Sequence, residues 1–293
     1  MELNNFSLSP EELASFISFI TLQTGIIPRE SHRSGIKSFI EKTLSERAST
    51  VAEYRKQLAI NPTLLTELIN ASTVNETYFF REEKQFQFLK DSIFPQWRLL
   101  NPHTPLRVWS AACSYGEEAY SIALLAQHCN VGVQITASDI NSEVLEHCKN
   151  GVFLDGSIRQ VDGVSFKNLL LPYQRQDRKV AFSQEIKNSI QTRKINLAQI
   201  DLPTTEVFLP KNQDIVFLRN VFIYFSPELR AKILRTIAEK CLAENGILFV
   251  SMSEIAQLDS TLIPPSLEKV MDGSVFYFHK KSSKTGDVNG KNF

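Results

Sequence analysis

Apolar residues recur at helical spacing from the first turn signal onward. Ser9-Pro10-Glu11-Glu12 offers a capping serine, a proline suited to the first helical position and a glutamate placed for a capping box, and Leu13, Phe16, Ile17 and Ile20 then share a face. Three more helical segments are predicted at about 30 to 48, 51 to 59 and 62 to 70, the last two opening after Ser-Thr and Asn-Pro signals. Residues 1 to 70 thus read as an all-α domain, and a polar then abruptly aromatic stretch, residues 71 to 82, follows it as a linker. After a helix from about 83 to 100, apolar runs of strand length alternate with helical ones: strand 106 to 111, helix 117 to 128, strand 133 to 138, helix 141 to 150 and strand 214 to 219. A helix opened by Ser226-Pro227-Glu228 and closed by Asn245-Gly246 is next, then a strand at 247 to 251 and a last one near 275 to 279.

This alternation predicts an α/β fold, a doubly wound sheet with helices on both faces, over residues 83 to 280. Residues 152 to 195 break it with turns and short β-like runs, Lys179 to Phe182 and Ile190 to Arg193, and are expected to form a small inserted antiparallel β-subdomain. The tail, 281 to 293, is rich in Gly, Ser, Lys and Asn and is expected to be disordered.

Length and composition narrow the class. At 293 residues and 43% hydrophobic content the chain can bury a proper core. Its 32 basic and 32 acidic residues cancel, so no global field draws it to nucleic acid or a membrane surface. Residues 29 to 56 carry a local surplus, seven basic side chains (Arg29, Arg33, Lys37, Lys42, Arg47, Arg55, Lys56) against four glutamates. Such a stretch is either a solvated helix face or a docking face. Cys113, Cys129, Cys148 and Cys241 have neither the spacing of a zinc site nor that of a disulfide framework, and are expected to be reduced core residues; no metal site is expected. The start lacks a basic n-region and no apolar run reaches bilayer length, so a cytoplasmic location without membrane insertion is expected.

The densest chemistry lies in Arg107-Val-Trp-Ser-Ala-Ala-Cys-Ser-Tyr-Gly-Glu-Glu118, a buried strand, a tight turn at Ser114-Tyr115-Gly116 and a helix with an acidic first turn. Small turn residues let backbone approach a ligand, while Glu117 and Glu118 would repel a phosphate. About 20 residues on, a second strand ends in Asp139, the placement that meets a ribose diol in dinucleotide-type folds. A nucleoside without phosphates satisfies both halves, and S-adenosylmethionine is the common one. Plainer roles are open at each position. Asp139 could cap the helix that follows, Arg81 could pair with Glu82 or Glu83, and Tyr224 could be a core aromatic between Phe222 and Phe225. Cys113 has no base in sequence reach and reads as a packing residue.

Four separated blocks, Asn75-Glu-Thr-Tyr-Phe-Phe-Arg-Glu82, Arg107 to Glu118, Ala137-Ser-Asp-Ile-Asn141 and Leu218-Arg-Asn-Val-Phe-Ile-Tyr-Phe225, together resemble the signature blocks of the CheR-type chemotaxis receptor methyltransferases. The resemblance runs from about residue 10 to residue 280, with departures at Cys113, Tyr115 and Ala119. It implies an S-adenosylmethionine-dependent methyltransferase that esterifies glutamate side chains on the cytoplasmic bundles of chemoreceptors and releases S-adenosylhomocysteine. Carried over block by block, it places Asn75, Thr77, Arg81, Glu117, Asp139, Asn196, Leu197, Arg219 and Asn220 at the cofactor, with Arg81 and Tyr224 facing the methyl-transfer region. Some family members bind a receptor C-terminal pentapeptide through a Gly-rich loop of the β-subdomain. The corresponding stretch here, Leu171 to Lys179, has no glycine, so no such tether is expected. Two other functions stay open: methylation of another protein or a small molecule, and a catalytically silent S-adenosylmethionine-binding regulator.

Overall fold

A computed structural model describes residues 7–159 and 166–282. Four helices come first: α1 (Pro10–Thr24), α2 (Glu30–Glu46), α3 (Val51–Ile60) and α4 (Pro62–Ser72). Reciprocal capping boxes fix two of their starts, Ser9 with Glu12 and Thr50 with Glu53, and the Asn61 side chain accepts from Thr63 and Leu64 at the third. Phe16, Ile20, Ile36, Ile40, Leu44, Leu58, Leu64 and Leu68 give these helices a core of their own. Four of the seven basic side chains around α2 are ion-paired in place. Arg33 pairs with Glu30 at 3.1 Å, Lys37 with Glu41 at 3.6 Å, Lys42 with Glu46 at 3.7 Å and Arg47 with Glu67 at 3.3 Å. Of the seven basic side chains, Arg29, Arg55 and Lys56 form no ion pair among the described residues, and Arg55 lies over the Phe16 ring.

The linker buries Phe79 and Phe80, and Phe80 N–H donates to the Ser121 hydroxyl at 2.9 Å. Helix α5 (Glu83–Phe88) runs through a π turn at Leu89–Ile93 into α6 (Phe94–Leu100). Then come β1 (Leu106–Ala111), α7 (Glu117–His128), β2 (Val133–Asp139), α8 (Ser142–Asn150) and β3 (Val152–Leu154). Next are β4 (Lys179–Ala181), α9 (Gln184–Asn188), β5 (Ile190–Lys194), α10 (Pro203–Glu206) and β6 (Gln213–Leu218). The chain closes with α11 (Pro227–Thr236), β7 (Leu242–Phe249), β8 (Leu267–Asp272) and β9 (Val275–Lys280).

The main sheet has the order β5-β2-β1-β6-β7-β9-β8. Its first five strands are parallel, and β9 and β8 complete it antiparallel. Val108 stands between Ile135 and Ile215, at the centre of an apolar sheet covered on both faces. Strands β3 and β4 form the separate antiparallel pair.

Three segments depart from the sequence reading. Ile190–Lys194 is the edge strand of the main sheet, in parallel register with β2 from Ile135–Ile190 to Asp139–Lys194, and not part of the inserted subdomain. Asn245-Gly246 does not close a helix. It lies inside β7, where Asn245 adopts φ +60° and the register with β6 shifts, while α11 ends through a π turn at Ile237–Cys241. Strand β8, paired with β9 across Gly273, was missed because only Leu267 of its six residues is buried. The tail expected to be disordered lies, from residue 283 on, outside the described residues. No described helix is long and apolar enough to cross a membrane.

Candidate active site

The cleft lies at the carboxyl ends of β1, β2 and β6, where ligands bind in open α/β sheets. Between β1 and α7 the backbone alternates into the left-handed region, with φ +59° at Ala112, +53° at Ser114 and +105° at Gly116. Gly116 is required by contact as well as by conformation, because a Cβ there would lie 2.4 Å from the Cys148 sulfur. Cys113 is 2% exposed, and a hydrogen bond with Cys148, together with burial, pushes its thiol well up, which disfavours the thiolate. All four cysteines are free.

Asp139 ends β2 and secures this turn. Its Oδ2 accepts from Ser114 N–H at 2.9 Å and its Oδ1 from Asn141 N–H at 3.0 Å. Burial raises its carboxyl pKa, and the backbone donors Asn141, Ser114 and Ile140 oppose that rise. It does not cap α8. Asn141 does, accepting from Glu143 and Val144.

About 950 Å³ of empty space, open mouth included, is bounded by Asn75, Thr77, Arg81, Asp139, Asn196, Leu197, Arg219, Asn220 and Tyr224. Of the residues expected there, Glu117 alone does not line it. Glu117 is 2% exposed, and its Oε1 accepts from the Ser157 hydroxyl at 2.9 Å while Oε2 has no partner among the described residues; burial raises its pKa. Glu118 takes the lining position. Consecutive helical residues point about 100° apart, so only one of the two can face the cleft. The Glu118 carboxylate binds Arg219 Nε at 2.6 Å and the Ser110 hydroxyl at 2.5 Å. Arg219 Nη1 in turn donates to the Arg81 carbonyl at 2.7 Å and to Gln85 Oε1 at 3.1 Å, tying the linker to the sheet. Asn196 ties in the helical domain, donating to the Gln23 carbonyl at 2.8 Å. Thr24 and Ile26, between α1 and α2, also line the cleft, although no motif in that loop points to it.

Arg81 makes no ion pair with Glu82, Glu83 or any other described carboxylate. Its Nη1 donates to the Glu76 carbonyl at 2.9 Å, and its guanidinium lies 5.6 Å from the centre of the Tyr78 ring. Tyr224, in a 3-10 turn at Phe222–Tyr224, is half-buried and lines the same cleft, so it is not a core aromatic. Burial raises its phenol pKa against the opposing charges of Arg29 and Arg81, leaving it a hydroxyl donor at neutral pH. Its carbonyl accepts from Ile27 N–H at 2.8 Å, and the Arg29 guanidinium stands 5.8 Å from its ring centre.

The donors and acceptors suit a nucleoside that carries an amino-acid end and no phosphates. Asp139 offers carboxylate acceptors, Arg81 a guanidinium without an acidic partner among the described residues, and α7 begins with two glutamates where a phosphate-binding fold would leave bare N–H groups. Fold and site together define an S-adenosylmethionine-dependent methyltransferase. Residues 75–265 match the family described as CheR methyltransferase, SAM binding domain. The chain is 30% identical over 264 residues to a chemotaxis protein methyltransferase of Borreliella burgdorferi, covering 85% of this chain and 90% of that protein. It is 32% identical over 237 residues to chemotaxis protein methyltransferase 2 of Pseudomonas aeruginosa, covering 79% and 81%. This chain belongs to the CheR methyltransferase family. Among solved structures, S-adenosylhomocysteine-bound methyltransferase PaMTH1 of Podospora anserina covers 96% of this chain and all of that one, at 10% identity and a TM-score of 0.38, too distant to bear on the site.

Proposed function

We propose that this protein methylates glutamate side chains on the cytoplasmic domains of chemoreceptors, forming glutamyl methyl esters. The observation that carries this reading is the pairing of Arg81, which has no acidic partner among the described residues, with the hydroxyl donor Tyr224 at one cleft. S-adenosylmethionine, when bound, supplies an electrophilic methyl carbon. Asp139 would accept from its ribose, and Asn75, Thr77, Asn196, Leu197 and Asn220 would line its remaining length. Glu118 stands where Glu117 was expected, and Arg219 acts from behind by holding the linker.

A glutamate nucleophile is already ionised near neutral pH, since it titrates near about 4.3, so this chain need hold no strong base. What it must supply is alignment, which can contribute up to roughly 7 to 11 kcal/mol. Arg81 can grip the incoming carboxylate with two parallel donors and Tyr224 can add a third. Too tight a grip would dull the nucleophile, so the role assigned to Arg81 is orientation.

The β-subdomain works without a peptide tether on this reading. Arg178 reaches φ +61° without being glycine, so the lack of glycine is not itself the obstacle. The support lies in how the loop closes on itself: Arg175 N–H donates to the Lys179 carbonyl at 2.8 Å, Arg178 N–H to the Arg175 carbonyl at 3.2 Å, and the Arg178 side chain to Asp155 at 2.8 Å. Receptor C-terminal pentapeptides should show no micromolar binding by calorimetry, and a tight complex would overturn this part.

The deciding experiment incubates the protein with labelled S-adenosylmethionine and chemoreceptor-rich membranes. Base-labile label on receptors supports the function. Label on another protein or a small molecule, or none at all, would replace it with another substrate or with a silent regulator.

A further inference from the structure

We propose that Glu254 and Ser251, on the turn that follows β7, are positioning residues that hold Tyr224 and Arg81 to one common mount. Glu254 is 0% exposed, and its carboxylate ends on the backbone of the segment that carries Tyr224. Its Oε2 accepts from Asn220 N–H at 2.8 Å and its Oε1 from Ile223 N–H at 3.4 Å. These donors sit where the chain leaves β6 through Asn220 at φ +57° and enters the 3-10 turn ending at Tyr224. A buried carboxylate spanning both ends of so short a segment fixes the direction in which the phenol leaves it.

Ser251, 1% exposed, serves the other arm. Its hydroxyl binds Glu82 Oε1 and receives the Asn220 side-chain amide at 3.0 Å, while Met252 N–H donates to Glu82 Oε2 at 3.3 Å. Glu82 follows Arg81 and is held at φ +61°, a conformation that a non-glycine residue keeps only when its surroundings impose it. Linker and β6 turn are far apart in sequence, yet both are referenced to four residues, Ser251 to Glu254. None of these polar side chains lines the cleft, so their influence passes through Arg81 and Tyr224. Burial raises the Glu254 pKa against the backbone donors around it, and among the described residues its carboxyl is held by backbone N–H groups with no ion pair.

This inference rests on the roles proposed for Arg81 and Tyr224, and its test has a readout that needs no substrate. In full-length protein labelled with carbon-13 at the tyrosine ζ position, the Tyr224 resonance is assigned with Tyr224→Phe. Glu254→Gln, which conserves volume, should shift that resonance and leave Tyr277, on β9, in place. On receptor membranes the same variant should lose turnover by about 10- to 100-fold, the range expected from sub-ångström misalignment, with receptor KM and cofactor affinity far less affected. Ser251→Ala should lower turnover while leaving the Tyr224 resonance nearer its wild-type position, because the Glu254 bonds to that turn survive. Failure of the wild-type protein to methylate receptors would remove the proposed function and leave the resonance test standing. An unmoved Tyr224 resonance in folded Glu254→Gln, or wild-type turnover in both variants, would overturn the mount.

Discussion

Replacing Asp139 by alanine tests the nucleoside site at its most constrained atoms. Each carboxylate oxygen accepts one backbone N–H, from Ser114 and from Asn141. A carboxylate has about four lone-pair sites; the two close bonds take one on each oxygen, and Ile140 N–H, which favours the charge without making a close hydrogen bond, leaves the other two to the hydroxyls of a ribose. Hydrogen bonds to a charged acceptor contribute about 1.5–3 kcal/mol each, so losing two removes roughly 3–6 kcal/mol of binding. At about 1.4 kcal/mol per decade, affinity should fall about 10²- to 10⁴-fold. The fold should suffer less. Two backbone donors lose their acceptor at about 1–3 kcal/mol each, but a buried charge disappears with them, leaving a net loss near the low end and a melting point lower by a few degrees. Asp139→Asn keeps the volume and should separate the two effects, weakening binding while melting closer to wild type. Calorimetry with S-adenosylhomocysteine, on variants shown to be folded, reads the outcome. An unchanged dissociation constant in a folded Asp139→Ala protein would refute the ribose assignment.

Arg81→Ala should lower turnover by about 10- to 100-fold, the equivalent of one charged hydrogen-bonding pair, and Arg81→Lys should recover little because a point charge cannot reproduce the fork; normal steady-state kinetics for the alanine variant would end its role. Glu117 is a buried carboxyl with a raised folded-state pKa, so its contribution to stability is full below its unfolded pKa and lost as pH rises through the folded one. Glu117→Gln should therefore melt above wild type at about pH 8, with the gap closing toward about pH 4, and should spare cofactor affinity where Glu118→Gln weakens it. A constant gap across pH, or the reverse order of cofactor affinities, would show that the two glutamates are misassigned. Arg29→Glu should slow receptor methylation at low salt more than Arg33→Glu or Lys37→Glu, since the latter two basic groups are spent on Glu30 and Glu41. Equal effects from all three would mean that those ion pairs open for the receptor.

Much of the fold is legible because its signals are local. Ser9-Pro10-Glu11-Glu12, Thr50 with Glu53 and Ser226-Pro227 announce helices whose caps form within a few residues of the chain. What fails is set by distant partners. Ile190–Lys194 has the composition of any short strand, and its place beside β2 is decided by where α9 returns the chain, which periodicity does not encode. Asn245-Gly246 reads equally as a helix stop or a bulge, and the choice falls to the register of β7 against β6. The π turns at Leu89–Ile93 and Ile237–Cys241 leave no residue signature of their own.

The site divides along the same line. Residue types at motif positions identify what can face the cleft, and Asp139, Arg81 and Tyr224 were visible for that reason. The motif carries no helical phase, so it cannot choose between Glu117 and Glu118. That choice follows from Arg219, whose guanidinium reaches back from β6 to Glu118 and forward to the Arg81 carbonyl. The same holds for Tyr224, whose backbone is clasped from the helical domain by Ile27 and from behind by Glu254 through its neighbour Ile223. On the roles proposed for Arg81 and Tyr224, the alignment that methyl transfer demands is set by groups outside the reacting atoms' reach. Glu254→Gln, or Ile27→Pro, which removes the N–H that the Tyr224 carbonyl accepts, should consequently act on turnover through Tyr224, although neither residue lies in the blocks that reveal the family.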